Sequence, residues 1–380
     1  MPYDIVLLGA TGFTGGLTAD YLARHVPAGS SWAIAGRNPS KLDSVAQRIA
    51  DTGGTAPDTV VADIGDTTSM RRLAEQTKVL ATTVGPYVEY GEPAVAACAN
   101  AGTDYCDLTG EAEFVDRMWL SHHARAEQTG ARLVHACGFD SVPHDLGVLN
   151  TVNHLPEGVP LTVRGYVRAS ADFSGGTYHS AVRAFSRLRH SHRVVAERRR
   201  VEGRASGRRV RALPDRPGRG PDGDGWTLPL PTIDPVIVRR SARALERYGP
   251  EFSYGHYAHF QGLPMVVATA LGAGGMMAVS QLPAGRDLLL RLRAQGDGPD
   301  QAKRDRSWFK VLFVGEGGGK TVVTEASGGD PGYTETARML GESALCLALD
   351  DLPDHAGQLT TAVAMGDALT TRLDTMFRVR

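Results

Sequence analysis

Short apolar runs alternate with helix-period patterns from Tyr3 to about Asn153. Ile5-Val6-Leu7-Leu8, Trp32-Ala33-Ile34-Ala35, Thr59-Val60-Val61-Ala62 and Val79-Leu80-Ala81-Thr82-Thr83-Val84 are four such runs. Each is short and nearly continuous, as expected of a strand covered on both faces. Between them, positions such as Leu17, Tyr21 and Leu22 recur at helical spacing. Gly91–Asn100 and Phe114–Thr129 then read as helices, and Tyr105-Cys106-Asp107 and Arg132–Ala136 as strands. Pro143 suits the first turn of a helix ending near Asn153. Alternation of this kind builds a doubly wound parallel sheet.

From Leu161 the pattern changes. Leu161–Val167, Ser253–His259, Trp308–Gly315 and Lys320–Ser327 are strand-like, but long helical or irregular stretches separate them. A mixed, largely antiparallel second domain of α+β type follows. Pro214–Gly225 is almost devoid of apolar residues and is expected to be a mobile loop. Helices near Tyr333–Leu349 and Thr361–Leu373 close the chain. The expected division is 1–153 for the first domain and 154–332 for the second, with 333–380 packing back toward the first.

The first strand runs into Gly9-Ala10-Thr11-Gly12-Phe13-Thr14-Gly15, and this loop opens a helix. Glycines there let the backbone turn sharply and approach a pyrophosphate, while the helix N-terminus offers unpaired N–H groups. Gly9, Thr11, Gly12, Phe13 and Thr14 are therefore expected to hold a dinucleotide. An NAD site usually places an acid after the second strand for the ribose 2′-hydroxyl. No acid occurs between Ala23 and Asp43, and Arg37 stands at that place. A guanidinium suits a 2′-phosphate, so the cofactor reads as NADP(H). Asp63, ending the third strand, is placed to border the adenine. Gly85 and Pro86, ending the fourth, are placed to run along the cofactor toward its nicotinamide.

Composition narrows the classes. The chain has 380 residues and a formal net charge of −1, which gives no reason to expect nucleic acid as a partner. Four scattered cysteines and a start without a signal-like segment point to reduced thiols in the cytoplasm. No His-x-x-x-His or Cys-x-x-Cys spacing invites a metal, so none is expected. Gly315-Glu316-Gly317-Gly318-Gly319-Lys320-Thr321 looks like a phosphate loop but is out of register and flanked by strands, so it reads as a hairpin turn. No tyrosine is followed by a lysine four residues later, which removes the proton donor of short-chain dehydrogenases.

Two stretches bear on the substrate. Ala181–Ala212 carries eleven arginines against two glutamates, a patch suited to phosphopantetheine, coenzyme A or an anionic membrane surface, or simply a solvated helix face. Phe260–Gly285 has no charged residue. Its glycines and bracketing prolines favour a buried helix, lining an acyl pocket or a dimer interface, over a membrane span; peripheral membrane contact lies between these readings.

As a set, several motifs resemble the saccharopine dehydrogenase-like oxidoreductases. The match is to the branch of trans-acting enoyl reductases found in mycobacteria and related actinobacteria. The motifs are the glycine loop, Ala35-Gly36-Arg37, Gly85-Pro86-Tyr87 with Gly91, Tyr105-Cys106-Asp107-Leu108-Thr109-Gly110-Glu111, and Cys137-Gly138-Phe139-Asp140-Ser141-Val142-Pro143. Ser174-Gly175-Gly176-Thr177 and Ser327-Gly328-Gly329-Asp330-Pro331-Gly332-Tyr333 complete them. His144 departs from the small residue expected after Pro143. The resemblance implies a Rossmann domain, a second α+β domain that often supports a homodimer, and reduction of an enoyl thioester in lipid or polyketide assembly.

Enoyl reduction needs a donor to the thioester carbonyl and a proton for the α-carbon. Tyr87 leads the candidates, followed by Asp140 and Ser141, then Tyr105 and His144. The substrate expected is an acyl or polyketide thioester, free or on an acyl carrier protein. Saccharopine-type chemistry at a C–N bond stays open, as does a non-catalytic, lipid-associated NADP-binding protein.

Overall fold

The computed structural model describes residues 1–170, 175–203, 207–214, 216–292 and 298–380. Ser174, the head of the Ser-Gly-Gly-Thr motif, and Asp215 in the polar loop lie outside them.

The chain forms two compact units. The first holds six strands in its N-terminal part: β1 (Tyr3–Leu8), β2 (Trp32–Gly36), β3 (Asp58–Val61), β4 (Thr77–Thr82), β5 (Asp104–Asp107) and β6 (Arg132–Val134). They lie in the order β6-β5-β4-β1-β2-β3 and pair in parallel throughout. The order reverses at β1, where Leu8 lies between Ala35 of β2 and Thr82 of β4. A reversal of this kind opens a crevice at the strands' carboxyl ends, where ligands of such sheets bind. This is the Rossmann arrangement expected from the apolar runs. A seventh strand, Gly357–Leu359, extends the sheet beyond β6 and was not legible in the sequence. The preceding helix, Thr334–Leu349, buries Met339, Leu340, Ala344, Leu345 and Leu347 within this unit.

The second unit is built on a mixed sheet of β7 (Leu161–Ser170), β8 (Arg209–Ala212), β9 (Gly218–Arg219), β10 (Trp226–Pro229), β11 (Glu251–Phe260), β12 (Trp308–Gly317), β13 (Lys320–Gly328) and a last strand, Phe377–Val379. β7 pairs in parallel with β11, and β8 with β11; the other pairings are antiparallel. β12 and β13 form the glycine hairpin that the Gly315–Thr321 run suggested.

Three expectations need correction. The units divide between Phe139 and Asp140 rather than at 153. The helix Val142–Asn153 is buried on nearly all sides and packs on the second sheet, where Thr151 Oγ1 meets Thr324 Oγ1 at 2.6 Å. Moreover, the last residues return to the second unit: Arg378 and Arg380 pair with the buried Glu325 of β13. The polar stretch 216–225 is not a featureless loop. It holds β9 and a 3₁₀ turn, with Arg219 stacked 4.2 Å over the Trp226 ring.

The third correction is the largest. The uncharged segment forms a helix, Leu263–Ser280, which is not buried within the chain itself: only Val266 and Ser280 are buried. Leu263, Met265, Val267, Leu271, Met277 and Val279 are all exposed. Among the described residues, little covers this apolar helix, an exposure that soluble surfaces rarely show.

Candidate active site

In the first unit the glycine loop is shaped for a phosphate. Gly9 takes φ = +96°, a left-handed conformation that side chains resist. A Cβ on Gly15 would lie 2.1 Å from the Gly9 carbonyl oxygen, so only glycine lets the helix Phe13–His25 start this close to the strand end. Gly12 is exposed and begins that helix; its N–H donates to Gly9 O at 3.0 Å. No side chain caps the helix and no acid stands in its first turn. Its first N–H groups and positive dipole end therefore face an open position, the arrangement that receives a dinucleotide phosphate. Thr11 is exposed, and Phe13 and Thr14 are half-buried. The Phe13 ring packs edge-on against Tyr333 at 4.9 Å.

Arg37 is exposed at the end of β2 and enters no ion pair among the described residues. Asp63 is exposed after β3, although its Oδ1 also accepts from Gly65 N at 3.0 Å and so shapes its own turn. Gly85 is exposed and Pro86 buried after β4. Arg37→Ala is expected to weaken NADPH binding about 10–100-fold, the worth of charge-assisted bonds to one phosphate, and to leave NADH binding nearly unchanged. Fluorescence titration with both cofactors measures this; equal losses would remove the 2′-phosphate role.

The two tyrosines are differently employed than the sequence suggested. Tyr87 is buried, its hydroxyl donates to Thr82 O at 3.0 Å, and it accepts from Leu108 N at 3.2 Å. Burial raises its phenol well above the ordinary value, and the Asp107 charge adds to that. Tyr105 is fully buried and donates to Asp107 Oδ2 at 3.0 Å. Both hydroxyls thus fasten the ends of β4 and β5. The hub is Asp107, which the sequence reading did not single out. Its Oδ2 also meets His135 Nδ1 at 2.7 Å, and its Oδ1 accepts from Thr109 N and Ala136 N, each at 3.0 Å. Glu111 closes the turn by accepting from Val88 N at 2.7 Å.

The second unit carries a separate polar cluster. Ser141 precedes the helix Val142–Asn153 without capping it, and its buried Oγ has no hydrogen-bond partner among the described residues. One turn on, His144 Nε2 stands 3.7 Å from Asp234 Oδ1. His256, on β11, places Nε2 3.5 Å from Asp234 Oδ2, and its Nδ1 lies 3.0 Å from Tyr254 OH. The two imidazoles meet edge to face at 4.9 Å. All three residues are almost fully buried. Asp140 is mostly buried; burial pushes its carboxyl up to about 8, with the nearby Asp234 charge adding. Burial takes the His144 imidazole down to about 4, against the opposing pull of Asp234. Burial would raise Asp234 too, but His144, His256 and the Thr232 hydroxyl outweigh it and hold that carboxyl well below the usual range. His144 was a sequence candidate. Asp234 and His256 were not, because nothing in the spacing 144, 234, 256 marks them as neighbours.

Residues 5–134 match the family model of the saccharopine dehydrogenase NADP-binding domain. A trans-acting enoyl reductase of Mycobacterium ulcerans is 37% identical over 405 residues, spanning 98% of this chain and 95% of that protein. Rv2449c of Mycobacterium tuberculosis is 38% identical over 403 residues with the same coverage. The chain belongs to the saccharopine dehydrogenase-like family, in its trans-acting enoyl reductase branch. The fold agrees: saccharopine dehydrogenase (L-Glu forming) of Saccharomyces cerevisiae superposes with a TM-score of 0.58 over 99% of both chains, at 12% identity. As a family member the chain is an NADP-dependent oxidoreductase, and the open helix terminus and exposed Arg37 fit that cofactor.

Proposed function

We propose that the chain reduces the carbon–carbon double bond of an enoyl thioester, carried by coenzyme A or an acyl carrier protein. The observation that supports this most is near full-length similarity to proteins named trans-acting enoyl reductases. Bound NADPH would supply a hydride to the β-carbon. The chain's residues then hold the cofactor and manage charge on the thioester. Gly9, Thr11, Gly12, Phe13 and Thr14 cradle the pyrophosphate, Arg37 the 2′-phosphate, Asp63 borders the adenine, and Gly85 and Pro86 line the path to the nicotinamide.

For the developing enolate, the proposal moves away from Tyr87 and Tyr105, whose hydroxyls are committed within the fold. Asp140 and Ser141 take their place. They follow directly on the loop that leaves the carboxyl end of β6, and the buried Ser141 hydroxyl has no hydrogen-bond partner among the described residues. The exposed helix Leu263–Ser280 suits long apolar chains or the membrane surface that carries them, and the arginine-rich helix Leu188–Glu202 suits anionic carriers.

NADPH consumption with an enoyl thioester, compared with saccharopine as substrate, tests the reading. Turnover of the thioester alone is expected. Ser141→Ala is expected to lower kcat by about 100–1000-fold with NADPH affinity kept, the usual loss of one donor to an oxyanion. Turnover of saccharopine, or of neither compound, would sink the enoyl reading.

A further inference from the structure

We infer that His144, Asp234 and His256 form a binding site for a divalent transition-metal ion, with zinc the best fit. The site does not depend on the proposed substrate. The three residues come from three elements of the second unit, namely the helix Val142–Asn153, the start of the helix Asp234–Ala244, and β11. Their ligating atoms all lie within 4.8 Å of one another.

The spacing between those atoms is the deciding observation. A buried carboxylate and imidazole that bond directly close to about 2.7–2.9 Å. The same molecule shows this, since His135 Nδ1 and Asp107 Oδ2 stand 2.7 Å apart in full burial. At the second cluster the two imidazoles stand off the two oxygens of one carboxylate, His256 Nε2 3.5 Å from Asp234 Oδ2 and His144 Nε2 3.7 Å from Asp234 Oδ1. Bonds of about 2.0–2.1 Å to a tetrahedral zinc put neighbouring ligand atoms about 3.3–3.4 Å apart, and the three groups here, all within 4.8 Å of one another and too far apart to bond directly, leave room for an ion between them. Asp234 Oδ1 and His256 Nε2 are buried and satisfy no hydrogen bond among the described residues. Leaving both so would cost the fold unless something joins them.

The surroundings match the second shell that metal ligands need. Tyr254 OH bonds the other nitrogen of His256, which fixes the ring with Nε2 aimed inward. The Thr232 hydroxyl donates to Asp234 Oδ2 and orients that carboxylate. Two imidazoles and one carboxylate leave one position of a tetrahedron for water or a carbonyl oxygen. Ser141, one helical turn before His144, lies on the same side of that helix.

The full chain, purified without a histidine tag and equilibrated with zinc or cobalt(II), tests this by elemental analysis and visible spectroscopy. Close to one ion per chain is expected, with cobalt d–d bands of nitrogen and oxygen ligation and no thiolate charge-transfer band. Asp234→Asn and His256→Gln should abolish binding. Tyr254→Phe removes a single oxygen and should keep the fold, so it serves even if the ligand variants misfold. It is expected to weaken binding about 10–100-fold. No bound ion in the native chain, a thiolate band, or unchanged affinity in Tyr254→Phe overturns the assignment.

Discussion

Gly15→Ala is expected to lose NADPH binding by at least about 10–100-fold, while Gly16→Ala keeps it. The two glycines are neighbours in one helix, yet their surroundings differ. A Cβ at Gly15 would stand 2.1 Å from Gly9 O, whereas at Gly16 nothing lies nearer than 3.8 Å. The clash cannot be relieved by a side-chain rotation, because the obstacle is backbone. Either the helix start moves away from β1 or the loop opens, and both displace the N–H groups that receive phosphate. Overpacking of this kind costs typically ~1–3 kcal/mol, which is the tenfold to hundredfold range expected. Isothermal titration of both variants decides it. Equal affinities would show that the loop's close approach is not what holds the cofactor.

Asp107→Ala is expected to destabilise the first unit by about 3–5 kcal/mol, because each buried polar group it leaves unpaired costs about 1–3 kcal/mol. One substitution strands the Tyr105 hydroxyl, the His135 imidazole and the amides of Thr109 and Ala136. For a unit of this size, the melting temperature should fall by roughly 6–20 °C. Thermal unfolding followed by circular dichroism measures this. A loss under about 1 kcal/mol would mean that Asp107 is not the hub of β4, β5 and β6. Tyr87 belongs to the same fastening, its hydroxyl held between Thr82 O and Leu108 N.

The strands of the first sheet were legible because each is a continuous apolar run, and a parallel sheet buried on both faces demands that pattern. The shape of the glycine loop was legible because its demands are local, a left-handed Gly9 and a Gly15 that cannot carry a Cβ. The roles of Tyr87 and Tyr105 were not, since hydrogen bonds to Thr82 O and Asp107 depend on pairing that sequence order does not reveal. The helix Val142–Asn153 misled for a related reason: its order after β6 does not reveal that it is buried under the second sheet. Leu263–Ser280 misled in the opposite sense, because an uncharged run invites a core placement that the fold does not provide. The cluster at 144, 234 and 256 exists only after the second sheet has formed.

The first unit takes residues from both ends of the chain, Met1–Phe139 and Gly332–Leu373. On the ribosome this becomes a matter of timing. The sheet that holds the cofactor loop emerges early, but the helix Thr334–Leu349 that covers part of it follows only after roughly 190 further residues, about 10–40 s at ordinary elongation rates. During that interval the apolar faces of β1 and β4 wait uncovered. A nascent chain stalled before Gly332 should therefore be held by chaperones and unable to bind NADPH, however complete its glycine loop.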